Sequence, residues 1–312
     1  MPVKTGLARN IYALSILTKS QKRQQSDFHW KKINETDLCH LSVNFAEITL
    51  FETKITNYTF TSHPMEILTF FIAHWYLSLL MQTFFLHRYA AHKMFTMSPV
   101  SEKCFYTLTW IFQGSSFLSP YAYGVMHRLH HAYADTENDP HSPGFSKSLM
   151  DMMWKTKNYY NTIVKGTDTI EPKFKKGVPH WVFMEKLGDS WVSRIGWGTL
   201  YVLFYIQFAT AWWMFLLLPV HFLMGPVHGV IINWYAHRYG YVNFKVDDTA
   251  KNLLPFDFLM MGESYHNNHH KYGGRANFGF KWHEFDPTYP FILLLARMKI
   301  IKLKPNNDLN YM

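Results

Sequence analysis

Cysteine is scarce in this sequence, since only Cys39 and Cys104 occur among 312 residues. Two cysteines cannot build a disulfide framework, and their positions do not match the spacing of cysteines that bind metal. A thiolate metal site is therefore excluded. If the protein binds iron or zinc, the ligands must come from its 18 histidines.

Charged side chains are missing from three long stretches, residues 67–87, 104–127 and 195–237. The first would reach about 31 Å as a helix, which matches a hydrocarbon core of about 30 Å. The third is long enough for two helices with a turn near Leu218-Pro219. We therefore predict membrane spans at about 67–87, 196–217 and 220–236.

The stretch 104–127 could also span by length, but we predict that it does not. It contains Gly114, Ser115, Ser116 and Pro120, which suit a straight lipid-facing helix poorly. A crossing would also separate the histidines before it from those after it. We expect this stretch to lie buried in a polar cap, or to enter the membrane and return.

Composition fits a protein that lies only partly in lipid. Aromatic residues make up 18% of the chain, with 11 Trp and 19 Tyr, as in membrane-interface belts. A mean hydropathy of −0.14 predicts a large polar cap. The net charge of +9 suits an anionic membrane surface. It is not gathered into a stripe, so we expect no nucleic-acid partner.

These observations predict an all-α polytopic membrane protein whose transmembrane helices carry a cytoplasmic helical cap. The cytoplasmic side follows from the basic residues, ten between 127 and 194 and ten after 237. In a bacterium this membrane would be the inner, plasma membrane. Residues 1–64 read as a loosely attached polar extension and a candidate for disorder, and 65–312 as the membrane domain. Pro290 to Leu295 predicts a short interfacial helix.

Histidine is concentrated in four short motifs, HRYAAH, HRLHH, NWYAH and GESYHNNHH. The HxxHH spacing places three imidazoles on one face of a helix. Nine rings exceed the ligands that one ion can take, so we predict two metal ions, and we favour iron because redox metals that bind oxygen accept imidazole. The candidate site residues are His87, His92, His127, His130, His131, Asn233, His237, His266, His269 and His270.

Carboxylates near the motifs are expected to orient the rings by accepting the N–H that faces away from the metal. Asp139, in the segment DPHSP that follows HRLHH, and Glu263, beside the last motif, are the candidates. We interpret His221 and His228, inside the third charge-free stretch, as packing or hydrogen-bonded residues rather than ligands.

The four motifs, in order and spacing, resemble the histidine boxes of integral-membrane fatty acid desaturases, closest to the acyl-CoA delta-9 (stearoyl-CoA) branch. The resemblance implies that the nine histidines hold a di-iron centre, with Asn233 contacting it through water. It also implies oxygen-dependent insertion of a cis double bond into a fatty acyl chain. Two electrons would come from a separate ferredoxin or cytochrome b type donor with its reductase.

Two other classes stay open on the sequence. A di-iron membrane hydroxylase shares the same histidine chemistry, although its first motif has a different spacing. A membrane protein that transports or stores metal would place polar residues along the spans, whereas these motifs lie at span ends. One departure from the acyl-CoA branch is visible, because that branch has two spans before its first box and only one is detectable here.

Overall fold

The computed structural model describes residues 64–305. The predicted extension over residues 1–64 lies outside this part of the chain except for its last residue, so it stays a prediction. Within the described part the chain is mostly helical, with one antiparallel pair of short strands. This agrees with the predicted all-α class.

The first charge-free stretch lies in one long helix. Helix α1, Pro64–Leu80, continues without a break as π-helical turns over Met81–Ala91. Within residues 64–305, Met65–Ala91 is the one unbent helix that is long and apolar enough to cross a membrane. The predicted span at 67–87 falls inside it, and Leu68 and Ile72 on its outer face are exposed.

The π-helical turns are buried at every position. Phe84 packs against Phe95 and Phe105, and Phe85 stacks on Tyr89. Burying a phenylalanine side chain contributes about 1.5–3 kcal/mol, so this aromatic core fixes the segment firmly. The same segment carries the first histidine motif, and π-helical turns of this kind are frequent at functional sites.

The stretch 104–127 is broken, as its composition predicts. After β1, Phe95–Met97, helix α2 covers Pro99–Gln113 and helix α3 covers Pro120–Tyr133. A 3-10 turn at Gly114–Ser116 separates them. With 15 and 14 residues, neither helix is long enough to cross a bilayer. Pro120 begins α3 because the first helical turn needs no backbone N–H from it.

The polar segment after α3 forms three helices of the cap. Helix α4 is Leu149–Lys165, α5 is Pro172–Lys175 and α6 is Val182–Asp189. α4 starts at a Ser148 side chain that accepts a hydrogen bond from the Asp151 N–H. α3 packs against α4 and α5 on one side and against the π-helical segment on the other. This double contact positions HRLHH.

The third charge-free stretch departs from the prediction of two straight spans. Helix α7, Trp191–Phe208, is followed by extended backbone and then by a 3-10 segment, Trp212–Leu217. Helix α8, Leu218–Phe222, and helix α9, Met224–Val230, come next, and α9 continues as π-helical turns at Ile231–Tyr235.

The turn predicted near Leu218-Pro219 is wrong. Helix α7 ends at Phe208, and the Tyr205 ring lies near Phe215 while the Tyr201 ring lies near Phe222, so the chain turns back between Phe208 and Trp212. The next apolar pair, Trp212–Phe222 and Met224–Tyr235, is bent by 74°. Pro219 lies in the first turn of α8, where a missing N–H is tolerated. Proline therefore marks the start of a helix here and not a loop.

The C-terminal part closes the cap around the last motif. Helix α10 is His266–Lys271 and helix α11 is Thr288–Arg297. The predicted interfacial helix lies inside α11, where Ile292 is buried and Leu294 is about half exposed. β2, Ile301–Leu303, pairs with β1 and ties the end of the cap to the π-helical segment.

Candidate metal centre

The nine predicted histidines come together at the inner end of α1. Their ring nitrogens form two groups, and within each group all potential ligand atoms lie within 4.8 Å of one another. The first group is His87, His92, His127, His131 and His269. The second group is His130, His237, His266 and His270.

Helix geometry explains how the two HxxHH motifs are divided between the groups. Residues four apart on a helix differ by about 40° in direction, whereas residues three apart differ by about 60° the other way. On α3, His127 and His131 therefore face the first group and His130 faces the second. On α10, His266 and His270 face the second group and His269 the first.

The Nε2 atoms of the first group lie close together. His87 Nε2 lies 2.9 Å from His269 Nε2, and His92 Nε2 lies 2.9 Å from His127 Nε2. His131 Nε2 is 3.0 Å from His127 Nε2 and 2.9 Å from His269 Nε2. Five nitrogens thus converge on one small volume.

The second group is arranged in the same way. His237 Nε2 is 3.0 Å from His266 Nε2, and His130 Nε2 is 3.3 Å from His270 Nε2. The rings come from α3, from the turn after the π-helical Ile231–Tyr235 and from α10. His130 lies 107 residues before His237, and His237 lies 29 residues before His266. Only the packing of these helices brings them together.

Four of the nine rings have a carboxylate beside Nδ1, the ring nitrogen that faces away from the group. Glu263 lies 2.6 Å from His87 Nδ1, and both oxygens of Asp139 lie 3.0 Å from His130 Nδ1. These are the two carboxylates that the sequence indicates. Each accepts an N–H, which fixes the ring and leaves the Nε2 lone pair directed into the group.

Two further carboxylates do the same and were missed on the sequence. Asp135 lies 3.3 Å from His237 Nδ1, and Asp248 lies 2.7 Å from His270 Nδ1. Asp135 also accepts hydrogen bonds from Thr249, which joins the loop after α3 to the loop before α10. No spacing rule connects Asp248 with His270, so only the position of Asp135 just after HRLHH offered a signal.

The protonation states follow from burial and charge. Burial alone would raise the pKa of Asp139, but its hydrogen bond with His130 outweighs burial and brings the pKa to about 2. Burial lowers the pKa of His270 to about 4, although the hydrogen bond that His270 donates to Asp248 opposes this shift. Burial and neighbouring rings hold the pKa of His266 well below its usual range. The carboxylates are therefore ionised and these rings neutral at neutral pH.

This arrangement suits a cation at the centre of each group. His130 and His270 both donate their Nδ1 hydrogens to carboxylates, so two Nε2 lone pairs face each other at 3.3 Å. Facing lone pairs in a buried site repel unless a cation lies between them. Nine imidazoles without thiolates suit borderline metals such as iron. The donor set fits the predicted metal.

A buried arginine supports the first group. Arg88, the second residue of HRYAAH, donates to Glu263 at 3.0 Å and to Asp286 at 2.8 Å, and is fully buried over the Phe278 ring. Glu263 also accepts a hydrogen bond from Thr83. Sequence analysis assigned Arg88 no role, although it orients the carboxylate that orients His87.

A cavity of about 40 Å³ opens between the two groups and the helices α1 and α9. Asn233 lines it, together with ligand candidates of both groups, which places this predicted residue beside them rather than in either one. Its wall also carries Gln82, Tyr123, His141 and His228. His141 lies near His130 and Asp139, and the sequence analysis did not single it out.

The histidines interpreted as packing residues lie outside the two groups, among the apolar helices. His221 Nδ1 is 2.6 Å from His74 Nδ1, and its Nε2 is 2.9 Å from the Tyr205 hydroxyl. His228 packs edge-on against Trp75. Neither joins the two groups.

The fatty acid desaturase family model matches residues 62–294, about three quarters of the chain. The chain belongs to the fatty acid desaturase family.

Curated relatives place this family member near the delta-9 desaturases. The delta-9 desaturase-like 5 protein of Arabidopsis thaliana is 28% identical over 242 residues, covering 75% of each chain. The delta-9 desaturase-like 3 protein of the same plant is 26% identical over 283 residues, covering 88% of this chain and 87% of its own. The sn-1 stearoyl-lipid 9-desaturase of Synechocystis is 28% identical over 226 residues, covering 70% and 66%. The chain is delta-9 desaturase-like, and its family is one of oxidoreductases of fatty acid metabolism.

Proposed function

We propose that this protein is an oxygen-dependent fatty acyl desaturase that introduces a cis double bond into a saturated C16 or C18 chain. The observation that carries the proposal is the convergence of nine imidazoles in two groups, four of them held by carboxylates. The resemblance to delta-9 enzymes supports the position of the double bond. The C9–C10 bond of an acyl-CoA is our first candidate, with an acyl lipid as the alternative carrier.

Two iron ions would be held by the nine histidines, one ion per group. When bound, they would supply the activation of oxygen and the removal of hydrogen from two adjacent methylenes. The protein's own contribution is positioning. Glu263, Asp139, Asp135 and Asp248 fix the ring orientations before any substrate arrives. Asn233 lines the cavity, from which it would contact the centre through water.

Water exclusion is the second contribution of the chain. His87, His130, His266 and His269 are no more than 1% exposed, which keeps bulk water from the reacting carbons. Leu79, Met126, Ile232 and Met260 supply the apolar part of the cavity wall, against which methylenes can lie.

A membrane location is part of the proposal. Met65–Ala91 would cross the bilayer once, and α7 with the bent pair that follows would cross and return. The two histidine groups would then face the cytoplasm. Electrons would come from a separate ferredoxin or cytochrome b type protein with its reductase. Cysteine labelling from outside, in a background without Cys39 and Cys104, should leave positions beside HRYAAH and HRLHH equally protected.

Expression in a host that lacks its own desaturase tests the reaction. Mass spectrometry of total fatty acids should detect a new monounsaturated C16 or C18 chain. The product should disappear under anaerobic growth and in His130→Ala or His269→Ala, because an ion loses a ligand. His283→Ala, outside both groups, is the matched control and should retain activity. Hydroxylated products would point instead to the hydroxylase alternative, and unsaturation that survives both treatments would overturn the proposal.

A further inference from the structure

Buried polar side chains form a column along α1 that leads away from the metal groups. His74, Ser78 and Gln82 lie at successive turns on one face of the helix and are 7%, 0% and 6% exposed. Eight residues of helix correspond to about 12 Å, so the column reaches well into the apolar part of the bundle. An apolar protein interior has no need of three aligned polar residues.

The inner end of the column opens into the cavity beside the metal groups. Gln82 and His228 both line that cavity. His228 is 1% exposed, and neither of its ring nitrogens has a hydrogen-bond partner among the described residues. The Gln82 side-chain oxygen and the Ser78 hydroxyl likewise lack a protein partner within residues 64–305.

The outer end continues through hydrogen bonds. His74 meets His221 at 2.6 Å, and His221 meets the Tyr205 hydroxyl at 2.9 Å. Tyr205 lies within one turn of the end of α7 at Phe208, and its ring lies near Phe70, which is one turn before His74 on α1. The column therefore extends from the cavity past His74 toward the N-terminal end of α1.

A purely structural role for these side chains would leave several polar atoms buried without a hydrogen-bond partner, which lowers the stability of the fold. Each buried polar atom without a partner costs about 1–3 kcal/mol, whereas an ordered water meets the need at little cost. The cavity volume of about 40 Å³ is enough for at least one water molecule. Aromatic rings such as Phe70 and Trp75 surround the column, so a water file would be confined to it.

The proposed reaction consumes protons and forms water at the metal groups, and a water file could carry both. Its balance is –CH2–CH2– plus O2, two electrons and two protons, giving –CH=CH– and two H2O. Two C–H bonds break, oxygen is reduced by four electrons, two from the acyl chain and two from the donor, and two protons must enter a buried site each turnover. Neutral imidazole can accept a proton at one nitrogen and release one from the other, and hydroxyl groups do likewise.

We propose that His228, Gln82, Ser78, His74, His221 and Tyr205 line a hydrated path that brings protons to the metal groups and carries product water away. This inference rests on the proposed desaturase function. Gln82 and His228 line the cavity beside the metal groups, and the other four residues lie farther along the path.

Replacing a polar side chain of the path by an apolar one should distinguish proton transfer along the path from a role in packing. In lipid nanodiscs, Ser78→Leu and His228→Leu should lower kcat by about tenfold or more while iron content and substrate KM stay unchanged. The solvent deuterium isotope effect on kcat should rise, and more of the oxygen consumed should appear as peroxide. His228→Gln keeps a polar group and should stay near the wild type. Thr69→Leu, on the exposed face of the same helix, is the matched control.

A second measurement does not depend on activity. Radiolytic hydroxyl labelling with mass spectrometry modifies buried side chains that touch ordered water. His221 and Tyr205 should be labelled in the wild type although both are 0% exposed, and the labelling should fall in Ser78→Leu. Unlabelled residues, or variants that lower only the melting temperature with an unchanged isotope effect, would overturn the path. Labelling without any unsaturated product would instead count against the desaturase function and leave the path standing.

Discussion

The two histidine groups share the HRLHH and GESYHNNHH motifs but are supported differently. The first group has five rings, and one of them, His87, is held by a carboxylate, Glu263, which is itself fixed by buried Arg88. The second group has four rings, and three of them have an aspartate each. The first group thus depends on one buried ion pair, whereas the second spreads its support over two loops.

This difference predicts unequal tolerance to substitution. Loss of the glutamate that contacts both a ring and the buried arginine should disturb several contacts at once. Loss of one of the three aspartates should disturb mainly the ring that it contacts.

Glu263→Ala should have the largest effect. It removes the partner of His87 and leaves part of the Arg88 charge unpaired in a buried site, which costs about 3–5 kcal/mol of folding free energy. Iron analysis of purified protein should show loss of the ion in the first group, and thermal unfolding should show a lower midpoint. Glu263→Gln keeps an acceptor for His87 and should retain more of both. Full iron content and an unchanged unfolding midpoint in Glu263→Ala would show that Glu263 does not support the first group.

Asp139→Ala should have a smaller and more local effect. The Asp139 side chain is fully buried and orients one ring, His130, so metal affinity of the second group should fall by about 10- to 100-fold. It also accepts hydrogen bonds from the backbone N–H groups of Asp135 and His141 in its own loop. Asp248→Ala should weaken it less, because the Asp248 side chain is 15% exposed and water can replace it. Competition with a chelator would measure both. Asp247→Ala, at the exposed neighbouring position, should match the wild type. An equal loss of metal affinity in that control would contradict the role of the aspartates in orienting the rings.

Asn233→Ala should leave the iron content unchanged and lower the turnover rate several-fold. The side chain lines the cavity but belongs to neither group, so it acts on what lies between metal and substrate. Steady-state kinetics together with iron analysis would test this. Asn138→Ala, exposed in the loop after α3, is the control. Loss of iron in Asn233→Ala would make Asn233 part of the second group.

Deletion of residues 1–64, starting at Met65, should have the smallest effect. This segment contains no histidine motif and no predicted span, so both groups should load with iron as before. Product analysis and iron content of the truncated protein would measure the outcome. A well-expressed but inactive truncation, or one that loads a single ion, would show that the segment supports one of the groups.

The sequence by itself determined the helical class, the histidines and two of the carboxylates. Charge-free stretches report burial in an apolar medium, and HxxHH places its rings on one helical face by geometry alone. It also indicated that 104–127 is interrupted, because Gly114 to Ser116 and Pro120 disfavour a continuous lipid-facing helix. These features depend on neighbours in the chain, so the chain reveals them.

Only the tertiary structure decided how the rings divide into two groups and which loops support them. Asp135 and Asp248 reach His237 and His270 across more than twenty residues of intervening chain in each case, and contacts of that kind leave no local pattern. The reversal after Phe208 was missed for a similar reason. Its position depends on how α7 packs, whereas Pro219 offered a misleading local signal because proline also suits the first turn of a helix.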